Sequence, residues 1–109
     1  MPETGDEREA YDAVAAELTA TTPATTGTMM GMPCLKHGGK MFAGYHHGAM
    51  TFKLGTPEHG QALALAGARL FDPSGQGRPM KEWVEVPSAH SARWPELARA
   101  ALRYGGSYG

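Results

Sequence analysis

Apolar residues recur along this chain at two spacings, and each predicts a different kind of element. Tyr11, Val14, Ala15 and Leu18 fall at i, i+3, i+4 and i+7, behind a Thr4–Glu7 pair with capping-box spacing. That predicts an amphipathic helix over residues 5–19. The tract TATTPATTGT (19–28) is β-branched and interrupted by Pro23 and Gly27, so it reads as a loop running into a strand. From Thr28 to Leu54 the period shortens to two, with Gly38-Gly39 and His47-Gly48 as turns. Three strands are expected, over 28–36, 40–46 and 49–54, with Pro33 marking the first as an edge or bulged strand. In the third, Met50, Phe52 and Leu54 share one face and Thr51 and Lys53 the other, the alternation of a sheet buried on one side only.

Thr56-Pro57-Glu58 opens a second helix, whose short apolar face of Leu63, Ala64 and Ala66 ends at Gly67. A brief strand, 69–71, leads into DPSGQGRP (72–79), a loop by composition. Residues 80–86 alternate again, with Met80, Val84 and Val86 on one side and Lys81, Trp83 and Glu85 on the other, until Pro87 stops the strand. Ser91 is placed to cap a last helix in which Trp94, Leu97, Ala98, Ala101 and Leu102 form an apolar stripe and Pro95 falls in the tolerant first turn. The GGSYG tail is expected to fray. The order α-β-β-β-α-β-β-α segregates helices from an antiparallel sheet, which predicts an α+β two-layer sandwich.

A chain of 109 residues supports one hydrophobic core, so residues 1–109 are read as a single domain with its core at about 5–104. With 41% apolar and 19% charged residues, the composition is that of a folded protein rather than a disordered one. Cys34 is the only cysteine, so no intrachain disulfide can form and a reducing compartment suits the chain. The acidic start MPETGDEREAYDAVAAEL does not resemble a signal peptide, and no stretch approaches the ~20 apolar residues of a membrane span. A cytoplasmic protein with no membrane contact is expected. The net charge of −1 conceals an asymmetry: residues 1–20 sum to −5 and the remainder to +4. An asymmetry of this kind can point to an anionic partner, although an acidic, solvated helix face is the plainer reading.

The candidate chemistry is concentrated in GMPCLKHGGKMFAGYHHGAM (31–50). A thiol nucleophile needs a base within reach and a cationic neighbour, but alternation sends Cys34 and His37 to opposite faces, so no catalytic residue is assigned. His46 and His47 also diverge on a strand, and no C-x₂-C or H-x₃-H spacing marks a zinc site, so neither metal nor cofactor is expected. A small-ligand or metal-sensing module built on His37, His46, His47 and Met50 is the alternative reading. DPSGQGRPMK has no Walker spacing, although its glycines with Arg78 and Lys81 could form a phosphate nest. The favoured site is basic: Lys36, His37, Lys40, Lys53, Arg78 and Lys81, contacting phosphates or an acidic surface from the hairpins and the adjoining loop.

Three strings, TMMGMPCLKHGGKMFAGYHHGAMTFKL, FDPSGQGRPMKEWVEVP and WPELARAALRY, together resemble the TfoX/Sxy N-terminal domain family and the related MmcQ/YjbR proteins. The resemblance spans roughly residues 10–104 and is most specific in GGKMFAG and in Lys81-Glu82-Trp83-Val84. It implies a secretion-chaperone-like or YgaC/TfoX-N-like sandwich. It further implies a non-enzymatic regulatory or adaptor domain, transcription-related, that binds a protein partner or DNA. The family has no catalytic motif to carry over.

Overall fold

The computed structural model describes residues 6–29, 31–72, 77 and 80–106. Among these residues the fold is α+β: three α-helices and a six-stranded antiparallel sheet. The elements are α1 (Asp6–Thr21), β1 (Thr25–Met29), β2 (Met32–His37), β3 (Lys40–His46), β4 (Ala49–Lys53), α2 (Glu58–Leu63), β5 (Arg69–Phe71), β6 (Met80–Pro87) and α3 (Trp94–Gly106), with a 3₁₀ segment, Ser88–Arg93, leading into α3. Laterally the strands run β1-β2-β3-β4-β6-β5, which leaves β1 and β5 as edges.

The helical stripes fall where their periodicity predicts. Tyr11, Val14, Ala15 and Leu18 of α1 and Trp94, Leu97, Ala98 and Ala101 of α3 are buried. They close on one face of the sheet, over the cross-strand row Leu35–Ala43–Phe52–Val84 and the Met50–Val86 pair. Each fully buried aliphatic or aromatic side chain of this kind contributes about 1.5–3 kcal/mol. Phe42 joins the same core although its neighbour Ala43 already faces it. A register shift makes this possible: Leu35 pairs with Ala43 but Lys36 with Met41, so Phe42 is the extra residue of a β-bulge.

Two turns form as the sequence predicts, with positive φ at Gly38 and Gly39 and at His47 and Gly48. The expected strand over 28–36 is instead two strands. Gly31, at φ +77°, reverses the chain, and the threonine tract read as a loop supplies β1. The order is therefore α-β-β-β-β-α-β-β-α. Pro33 sits inside β2 without breaking it, because the ladder to β3 begins only at Cys34–Gly44. The second helix ends at Leu63, short of Gly67. Ser91 does not cap α3; it lies within the 3₁₀ segment, and its carbonyl accepts the Trp94 N–H. The expected capping threonine, Thr4, and the tail over 107–109 lie outside the described residues.

Single-sided burial of the sheet also fails. Thr51 is completely buried and Trp83 nearly so, both on the face away from the helices, while Met80, expected inward, is 41% exposed. A second cluster accounts for this: Met32, Phe71 and Trp83, with Met41 beside them, cover the middle of that face. Gly44 permits it, since a Cβ there would lie 3.3 Å from both Met32 Cε and Thr51 Oγ1. Among the described residues, no helix is long and apolar enough to cross a membrane.

Candidate functional site

Antiparallel register fixes which end of the sheet each charged residue occupies. The β2–β3 turn lies at one end, together with the last residue of β4 and the first residues of β6. Lys36, His37 and Lys40 flank that turn, Lys53 ends β4 and Lys81 is the second residue of β6. Five of the six residues chosen from sequence therefore share one end of the sheet. The sixth, Arg78, lies outside the described residues.

Their surroundings differ. His37 and Lys40 pair in register and are exposed. Lys36 is half-buried and lies flat across β1, its ε-carbon 3.3 Å and its ammonium 3.6 Å from where a Gly27 Cβ would stand. Lys53 is held by Glu82 at 3.7 Å, and the same carboxylate accepts the Tyr104 hydroxyl at 3.0 Å. Lys81 is exposed, while its backbone carbonyl meets His59 Nε2 at 2.8 Å. Tyr104 also brings the C-terminal turn of α3 to this end, and with it the exposed Arg103. Sequence reasoning missed Arg103, whose proximity depends on how α3 docks. Glu58 and Asp72 are the other acids here, the latter accepting the Gly77 N–H at 2.9 Å.

Lys53 apart, pairing separates the described cations at this end from those elsewhere. Arg8, Lys53, Arg69, Arg93 and Arg99 each meet a carboxylate, Arg99 through Glu17 of α1. Among the described residues, Lys36, Lys40, Lys81 and Arg103 form no salt bridge. All four lie at the end that carries the β2–β3 turn.

The sulfur and imidazole groups scatter. Cys34 is fully buried in mid-sheet, and burial pushes its thiol above the ordinary range, with Lys36 opposing. His46 and His47 sit at the β3–β4 turn, the opposite end from His37, so the three histidines do not converge. Among the described residues, no group of three or more His, Cys, Asp or Glu side chains could hold a metal ion. His46 packs edge-on against His47 (4.1 Å) and Phe71 (5.1 Å), and its Nδ1 is buried without a partner. Burial first, then His47 and Arg69, hold its pKa below the ordinary value, with Glu85 opposing.

A cavity of about 460 Å³ lies at the other border of the sheet, between Arg8, Tyr11 and Asp12 of α1 and Thr26–Thr28 of β1. Arg8 stands 5.8 Å from the ring centres of both Tyr11 and Tyr45 and pairs with Asp12 at 3.0 Å. Burial, with a smaller contribution from Cys34 that Arg8 opposes, pushes the Tyr11 phenol up to about 12. Comparison with family models, with curated proteins and with solved structures returns no match.

Proposed function

We propose that this chain is a non-enzymatic regulatory or adaptor domain of the TfoX N-terminal kind, a cytoplasmic two-layer α+β sandwich. It binds an acidic surface, on DNA or on a protein partner, through the basic end of its sheet. The observation that carries the reading is the segregation of unpaired cations. Among the described residues, Lys36, Lys40, Lys81 and Arg103 have no carboxylate partner and gather at one end, while the described cations elsewhere are each paired with a carboxylate. The Gly38-Gly39 turn carries His37 and Lys40 at its tip, a hairpin that can reach a phosphate backbone as a wing does. The apolar second cluster and the buried Cys34 fit a scaffold rather than a reaction centre.

The test is the salt dependence of retention on heparin and of affinity for a short DNA duplex. Neutralising four phosphates predicts a slope of log K against log salt near −3.6, about a hundredfold loss of affinity between 50 and 200 mM. A Lys40→Glu, Lys81→Glu variant should lose about half of that slope. An unchanged slope in a folded variant refutes the assignment.

A further inference from the structure

The two edges of the sheet are protected unequally. β5 is three residues long and carries Arg69. β1, TTGTM, has five residues and none of the usual guards against strand addition: no charge, no proline and no bulge in its pairing with β2. Its hydrogen-bonding state follows from one residue. Pro33 has no N–H, so Thr28–Pro33 must be a non-hydrogen-bonded pair of the antiparallel ladder. Alternation then gives Gly27–Cys34 the bonds between the strands and turns the N–H and C=O groups of Thr26 and Thr28 outward. Among the described residues no strand lies on that side.

The two faces of this edge differ in chemistry. Toward α1, Thr26–Thr28 border the 460 Å³ cavity, where Arg8 is already neutralised by Asp12. On the other face, the Lys36 ammonium lies over Gly27 with no carboxylate partner among the described residues. We infer that β1 accepts an extended acidic segment of a partner protein as a seventh strand, its carboxylates toward Lys36 and its intervening small apolar side chains toward the cavity under α1. Main-chain bonds to Thr26 and Thr28 supply attachment, and the two faces supply specificity. A second copy of this chain fits less well: two-fold β1 pairing about Gly27 would bring two Lys36 ammoniums together, and β1 contributes no acid to offset them. This inference rests on the proposed partner-binding role and names the partner's chemistry.

The experiment is amide hydrogen exchange and ¹⁵N chemical-shift titration with a capped Glu-Val-Glu-Val-Glu-Val peptide to millimolar concentration, beside its Lys-Val counterpart and heparin. The acidic peptide should slow exchange at Thr26 and Thr28, and the Lys-Val peptide should leave exchange there unchanged. Thr26→Pro and Thr28→Pro each remove an outward N–H and no ladder bond, so either folded variant should weaken peptide binding about tenfold. Lys36→Glu should weaken it comparably. Both proline variants should keep wild-type heparin retention, whereas Lys40→Glu, Lys81→Glu should lose heparin and keep the peptide. Absence of binding, equal binding of both peptides, or shifts confined to Lys40, Lys53 and Lys81 overturns the edge inference without touching the basic-end reading. Concentration-dependent protection of Thr26 and Thr28 without peptide overturns it in favour of self-pairing.

Discussion

Replacing Thr51 with valine should stabilise this protein, a sign opposite to that of most substitutions at fully buried positions. Thr51 is 0% exposed, and its hydroxyl is buried without a hydrogen-bond partner. A buried, unpaired hydroxyl costs about 1–3 kcal/mol relative to an apolar group of the same shape. Valine keeps the outline and the β-branch of threonine, and places a methyl in the space that Met32 and the hydroxyl share above Gly44. Taking the lower part of that range, the gain is about 1 kcal/mol, a rise of about 4–8 °C in Tm for a chain near 100 residues. Urea unfolding should show a higher midpoint with an unchanged m-value, since the surface exposed on unfolding is the same. Thr51→Ser, which keeps the hydroxyl and deletes the methyl, should lose about 1 kcal/mol. A loss of 1 kcal/mol or more in Thr51→Val would refute the reasoning. It would mean that the hydroxyl is satisfied in the native state and that the centre of this face is polar by design.

Gly55→Ala should destabilise by about 1–3 kcal/mol, because the new methyl would lie 2.6 Å from the Tyr104 ring. A double-mutant cycle with Tyr104→Ala should recover most of that loss in urea unfolding, and additive effects would count against the contact as the cause. The depressed pKa of His46 gives a signed pH dependence: unfolded His46 binds its proton first as pH falls through about 6.5, so stability declines below that value and levels off beneath the folded pKa. His46→Phe should flatten that slope in urea midpoints measured from pH 7.5 to 5, and an identical slope in the variant would exclude His46 as its source. Tyr11, raised to about 12, has the opposite consequence at alkaline pH: the unfolded phenol ionises first above about 10, so stability falls from there toward 12. Tyr11→Phe should remove that decline in thermal scans across the same range.

How far the sequence discloses this molecule depends on which physical rule places each residue. The α1 and α3 stripes are legible because period 3.6 puts Tyr11, Val14, Ala15 and Leu18 on one side whatever they meet. β1 is not, because an edge strand exposed at Thr25, Thr26 and Thr28 carries no apolar alternation to mark it. The Phe42 bulge is hidden for a related reason: one extra residue in the pairing reverses which neighbours face inward, and only the partner strand reveals it. Burial of Thr51 and Trp83 depends on Met32 and Phe71, which reach the same face from β2 and β5. Within the basic site, Lys36, His37 and Lys40 are legible because one turn holds them together. Arg103, and the Glu82–Tyr104 pair that engages Lys53, are not, since they meet only through the docking of α3.

The basic end can be weighed energetically against the alternative that its free cations are an accident of solvation. Lys40 and Lys81 sit on β3 and β6, two strands apart with β4 between, which is about 10 Å of lateral spacing. In water two charges at that distance repel by about 0.4 kcal/mol, and physiological salt reduces this further. The folded chain therefore tolerates the cluster almost without penalty, and stability alone neither requires nor forbids it. Exposed ion pairs elsewhere, such as Arg93–Glu96, contribute at most about 1 kcal/mol, so the pairing of the other cations is no structural necessity either. The asymmetry between a neutralised body and an unpaired end has its large consequence in association. There, each phosphate or carboxylate met by one of the four cations adds to a sum that repulsion within the chain barely offsets, and the salt slope reads that sum directly.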